Sequence, residues 1–134
     1  MLIVARFLPE NDLYGFVLVE FASQLNTRVL MNRTTRPNSF RETDLKAILD
    51  LHRVEEVVIC GAMSHMCVDA GARAASDLGY KCVVVHDACA TRDQEFEGKV
   101  VPAAQVHAAF MAALQFGYAK VVTTAEYLAA TPNA

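Results

Sequence analysis

A chain of 134 residues, 54% hydrophobic and formally −3 at pH 7, can bury the core of one domain and is short for two. Its mild acidity offers no basic face to nucleic acid, and no apolar run approaches the roughly 18 residues that cross a bilayer. The N-terminal MLIVARFLPEND is broken by Arg6 and Pro9 and has no small-residue cleavage site, so a soluble, cytoplasmic protein is expected.

MLIVARF opens the chain as a strand. Thr43 caps a predicted helix in which Leu45, Ile48, Leu49 and His52 share one face, and Glu55–Cys60 reads as a buried strand. A helix is predicted from about Ser64 to Leu78, closed by Gly79. Val83–Val85 is another buried strand, and TRDQEFEGK a polar loop. Pro102 opens an Ala-rich helix to Gly117, VVTT forms a last strand and Thr124–Ala130 a last helix. Apolar strands separated by helices imply right-handed crossovers and an α/β fold, a three-layer αβα sandwich on a mainly parallel, Rossmann-like sheet. Ligands in such sheets bind beyond the carboxyl ends of the strands. Cys67 and the predicted Asp87–Thr91 turn then open onto one rim.

Within Val57–Val68, VVICGAMSHMCV, a strand runs through a Gly-led turn and delivers Cys67 to a predicted helix N-terminus. Backbone N–H groups and the helix dipole there favour a thiolate, and the turn can hold an oxyanion. Cys60 and Cys82 lie in strand-like runs and read as small buried hydrophobes; Cys89, after a strand, is open to either reading. The spacings of Cys60 to Cys67 and of Cys82 to Cys89 are too wide for structural zinc pairs, and no Gly-rich nucleotide motif occurs. Neither metal nor cofactor is expected.

PNSFRETDL (Pro37–Leu45), GAMSHMCVDAGARAASDLGY (Gly61–Tyr80) and HDACATRD (His86–Asp93) together resemble the isochorismatase-like cysteine hydrolases, which include isochorismatases, nicotinamidases and N-carbamoyl amidases. The resemblance covers Pro37 to the C-terminus, leaving residues 1–36 as a divergent part of one domain spanning 1–134. It implies that Cys67 attacks a small amide, a related C–N bond or a vinyl ether, through a covalent intermediate that water hydrolyses. It also implies a cis bond between Ala62 and Met63, an oxyanion hole from the N–H groups of Met63 and Cys67, and Phe40, Ser64 and His65 about the substrate pocket. The Asp and His metal cluster of nicotinamidases has no counterpart, because no His precedes His52.

The chain departs from the family in its acid–base partners. The family carries an Asp on its first strand and a Lys shortly before the motif that is here Asn38-Ser39-Phe40. The register puts Thr34 at the Lys position, and the first lysine is Lys46. Laying MLIVARF over the first strand puts Arg6 where the Asp belongs. The preferred alignment matches MLIVARFLPEND to the second strand and its loop, with FASQLNTRV as a lid-like segment and Asp12 in a loop, so that the first strand is missing. Positioned acid–base groups contribute typically ~10² to 10⁴ in rate, so losing both would remove most of the chemical step.

Substitutes are few. Arg33 or Arg36 can supply charge but not a transferable proton. His65, His86 and His107 are the candidate bases of a Cys67–His dyad; otherwise His65 reads as a cap or pocket-wall residue, His86 as a structural hydrogen bonder and His107 as a packing or interface residue. Asp87 reads as a loop carboxylate satisfying amides, Asn38 and Ser39 as orienting Phe40, itself a pocket-wall or staple aromatic, and Arg73 as a salt-bridge partner. Thr91 and Arg92 can reach the rim. Three readings follow: a cysteine hydrolase, a catalytically silent member kept for binding or assembly, or a rearranged chain that folds as an oligomer. A lost central strand would have to be covered by a second protomer or by MLIVARF itself. The small residues of the Ala-rich helix point to a homodimer or larger assembly.

Overall fold

The computed structural model describes residues 2–6, 16–20, 29–32, 36–51 and 53–130, with side chains from Arg36 onward. In chain order these form β1 (Leu2–Arg6), β2 (Phe16–Glu20), β3 (Val29–Asn32), α1 (Leu45–Leu51) and β4 (Glu56–Ala62). A π-helical turn, Ser64–Val68, leads into α2 (Asp69–Asp77) and β5 (Lys81–Ala90). Then come β6 (Gln94–Phe96), β7 (Lys99–Val101), α3 (Ala103–Gly117), β8 (Lys120–Val122) and α4 (Thr124–Ala130).

Among the described residues one sheet has the order β3-β2-β1-β4-β5-β8, and β6 and β7 make a separate hairpin. The pairs β1 with β4, β4 with β5 and β5 with β8 are parallel; β1 with β2 and β2 with β3 are antiparallel. Side chains of β4 and β5 alternate between two apolar clusters. One gathers Val57, Ile59, Cys82 and Val84 beneath Leu45 and Leu49 of α1, Ala72 and Ala75 of α2, and Met111 and Leu114 of α3. The other gathers Val58, Cys60, Val83, Val85 and Val122, with Tyr127 of α4 packed against it. Both faces of these strands are buried, which is what continuous Val and Ile runs predict.

Four expectations change. The β4 strand continues to Ala62, two residues further than read. The Asp87–Thr91 segment is not a free turn, because β5 runs on to Ala90: after an irregularity at Ile59/Gly61, Gly61 pairs with Cys89 and Ala62 with Ala90. The polar loop contains the β6/β7 hairpin, whose turn places Glu97 at φ 49° and Gly98 at φ 73°; glycine tolerates the second of these without strain. Finally, β1 lies between β2 and β4, in register Leu2 with Val58 and Val4 with Cys60. Leu2–Arg6 therefore fills a central place in the sheet, and the gap implied by a missing first strand is closed from within the chain. Arg6 ends β1 two residues past Val4, toward the carboxyl end of β4.

The predicted cap of α1 is present: Thr43 Oγ1 accepts the Leu45 N–H at 3.4 Å, while its hydroxyl donates to the Ser39 carbonyl at 2.6 Å. Leu45 and Leu49 face inward as read; His52, Asp12, Arg33 and Thr34 lie outside the described residues, as does FASQLNTRV but for Val29. Because Leu49 is wholly buried under the sheet, Leu49→Ala is expected to lower stability by about 2–5 kcal/mol. Urea unfolding checks this, with the exposed Leu51→Ala expected to shift stability by less than about 0.5 kcal/mol.

Candidate active site

The site begins where β4 ends. Gly61 sits at φ 125°, a conformation open to glycine and strained for other residues, and the Ala62–Met63 bond is cis, as the family resemblance implied. Met63 is extended, and its carbonyl accepts the Met66 N–H at 3.0 Å and the Val68 N–H at 3.3 Å. The second bond spans five residues and winds the chain as a π turn, a form that recurs at functional sites. The expected helix from Ser64 to Leu78 is therefore two pieces, with Cys67 on the first. Gly79, at φ 92°, follows the C-cap Leu78 as expected.

Cys67 is 9% exposed and belongs to neither apolar cluster. Cys60 and Cys82 are buried to a similar degree, while Cys89 is partly exposed. Cys60 and Cys82 are cluster members, and Cys89, inside β5, borders both and donates to the Val85 carbonyl at 3.3 Å. Burial pushes Cys60 up, Cys82 to about 11 and Cys89 to about 12. Raised pKa values favour the protonated thiol at all three.

Around the turn, polar side chains are committed to specific partners. His65 Nδ1 lies 2.6 Å from Thr91 Oγ1, and its ring meets Phe110 edge-on at 6.1 Å. Burial, then the charge of Arg92, lowers the His65 pKa and keeps the ring neutral at pH 7. Ser64, fully buried, has its Oγ 2.8 Å from His107 Nδ1 and 3.3 Å from the Ala90 carbonyl oxygen. Its hydroxyl thus faces the interior behind the turn. His107 is pushed down by burial and by His86, whose ring centroid is 6.2 Å away.

Other residues singled out in the sequence hold the frame. Asp87 Oδ1 accepts from both the N–H and the hydroxyl of Thr124, which lowers its carboxyl pKa and caps α4. Arg73 bridges Asp69 at 2.9 Å and lies 4.4 Å over the Tyr118 ring, a structural partner as read. Phe40 stacks on Tyr80 at 6.2 Å against the larger cluster, with its N–H held by Asn38 Oδ1 at 2.9 Å. Ser39 passes close to Gly71, where an added Cβ would lie 3.6 Å from its Oγ. The segment carrying Phe40 therefore lies against α2 one helical turn beyond Cys67.

His107 takes the packing role read for it, turned inward onto Ser64. The signal was available: His107, Phe110, Met111 and Leu114 are spaced i, i+3, i+4 and i+7, the inward stripe of α3. A separate cavity of about 520 Å³, lined among others by Glu56, Lys120, Glu126 and Tyr127, opens near the amino ends of β4 and β8, away from Cys67. Among the described residues, no three His, Cys, Asp or Glu side chains are grouped as a metal site, and no helix is long and apolar enough to cross a membrane.

The model of the Isochorismatase domain matches residues 8–126. The chain belongs to the isochorismatase family. It is 55% identical over 92 residues to an uncharacterised isochorismatase family protein of Bacillus subtilis, covering 69% of this chain and 51% of that protein. Among solved structures, a protein of Oleispira antarctica classed with the isochorismatase hydrolases is similar at 62% identity and TM-score 0.68, over 70% of this chain and 50% of that one. A cysteine hydrolase of Pseudomonas syringae pv. phaseolicola is similar at 27% identity and TM-score 0.67, over 70% and 45%. The chain spans about half the length of these relatives. Family membership agrees with the α/β sandwich described above.

Native-state alkylation distinguishes the four thiols. At pH 8 a pKa near 12 leaves a thiolate fraction of about 10⁻⁴, so Cys89 is expected to stay unmodified, with Cys60 and Cys82, until the chain is unfolded. Iodoacetamide followed by peptide mass mapping should find Cys67 modified first.

Proposed function

We propose that this protein is a cysteine hydrolase in which Cys67 attacks the carbonyl carbon of a small amide or related C–N substrate. The observation that carries the reading is the placement of one thiol on the turn beyond β4, outside the apolar clusters that hold Cys60 and Cys82 and that Cys89 borders. In the proposed cycle the sulfur bonds to the acyl carbon, the C–N bond breaks, and the amine leaves with the proton formerly on the thiol. Water then adds to the thioester, its hydroxyl completing the acid and its remaining proton returning to sulfur. The N–H groups of Met63 and Cys67 are the proposed oxyanion donors. Phe40 and His65 would wall the substrate, with Ser64 behind them. No metal or cofactor enters this scheme, and a cytoplasmic setting is part of the same reading.

The alternative, a silent member kept for binding or assembly, has its own support. Asp69 just past Cys67 and Asp87 on β5 are committed to Arg73 and Thr124. Ammonia release from a panel of small amides separates the two readings. Cys67→Ala is expected to lose at least about 100-fold in rate. Equal rates for the native protein and Cys67→Ala would reject the hydrolase and leave the silent member.

A homo-oligomer belongs to either reading. The outer face of α3 presents Ala104, Ala108 and Ala112 with Phe116, which is 96% exposed, and we place a second copy there. Sedimentation at micromolar concentration is expected to give a dimer or larger, and Phe116→Glu a lighter species. A monomeric native mass would count against the assembly.

A further inference from the structure

We propose that His107 is a positioning residue, acting through Ser64 to hold the turn that carries Cys67 and the Met63 N–H where they are needed. The inference rests on the nucleophile reading above and adds a residue that touches no substrate. Three elements meet at one buried hydroxyl: Ser64 opens the π turn, Ala90 closes β5, and His107 projects from α3. One hydrogen-bonding arrangement satisfies all three atoms. His107 Nδ1–H donates to Ser64 Oγ, and the Ser64 hydroxyl donates to the Ala90 carbonyl. The opposite tautomer would leave the Ala90 carbonyl without this donor.

Ser64 lies between the two proposed oxyanion donors, Met63 and Cys67, so a shift of its Oγ moves both. A buried hydroxyl that has lost its ring partner either goes unpaired, which is costly, or rotates and carries the backbone with it. Small displacements of catalytic groups cost rate while leaving substrate affinity nearly intact. Burial of Ser64 also removes it as a nucleophile, although its distance to His107 suits a serine–histidine pair. The pair is a brace on Cys67.

The test uses p-nitrophenyl acetate, so that no natural substrate is required. The Cys67 thiolate attacks the ester carbonyl, the C–O bond breaks, and p-nitrophenolate leaves in a burst equal to the acylated thiol. His107→Ala is expected to slow the burst about 10-fold or more, with half-saturation within about twofold of native. His107→Asn, whose Nδ2–H can replace Nδ1–H toward Ser64, should recover to within about threefold of native. Ser64→Ala should match His107→Ala, and the double variant should be no slower than either. Where His107→Ala does not fold, Ser64→Ala and His107→Asn carry the comparison. A native rate in His107→Ala, equal losses in the Ala and Asn variants, or multiplying losses in the double variant would overturn the brace. Cys67→Ala separates the two ideas: no burst in the native protein, or a burst that survives Cys67→Ala, removes the nucleophile and the brace together. A Cys67-dependent burst indifferent to His107 removes the brace alone.

Discussion

The site depends on how β4 is brought to its end. Most strands in parallel sheets stop where pairing stops, and the chain leaves into a loop. Here pairing continues past an irregularity, with Gly61 opposite Cys89 and Ala62 opposite Ala90, so the main chain is held by a neighbour up to the residue before Met63. The π turn starts at once and takes its first bonds from the Met63 carbonyl. Little free chain separates a rigid sheet from the proposed nucleophile. That is the arrangement preorganisation calls for, since groups held by secondary structure need no ordering at the moment of reaction.

The same continuity explains what could be read from the residues. Buried runs such as Val57–Cys60, and the apolar stripes that place Leu45 with Leu49 and Met111 with Leu114, follow from local periodicity. The second half of β5 does not. His86, Asp87 and Ala90 look like turn residues, and only the distant Gly61–Ala62 segment makes them strand. β2 and β3 also escaped notice, because antiparallel partners of β1 declare themselves through pairing and not composition. The β6/β7 hairpin was hidden in a charged stretch whose Glu97-Gly98 step is its one turn signal. For the site, the thiol and its cis-bonded turn were legible through family resemblance. His107 was not, because an inward histidine among alanines acquires meaning only when Ser64, 43 residues earlier, comes within 2.8 Å.

Electrostatic commitments around the rim set the terms on which chemistry could occur. Asp87 is bound to the start of α4, where it accepts the Thr124 N–H and hydroxyl and suits the helix dipole. Its pKa is lowered, so the neutral acid is scarce near pH 7, and a carboxylate tied to two donors is a poor proton acceptor. Asp69 is neutralised by Arg73, which is itself covered by Tyr118. His65 and His107 are both pushed toward the neutral form by burial. A neutral imidazole is the form that can accept a proton, but each ring already has a hydroxyl partner at one nitrogen.

The replacement of a proton carrier therefore weighs most heavily on β1. Its register puts Arg6 toward the carboxyl end of the strand beside β4, the place the family reserves for an acid. An arginine holds its proton throughout the accessible pH range, so this residue type could neither remove a thiol proton nor return one to a leaving amine. In the proposed reaction an activated ester, whose leaving group needs no protonation, would therefore ask less of the site than the amide does. Unactivated amides, whose amine must receive a proton as the bond breaks, are the harder demand on this site.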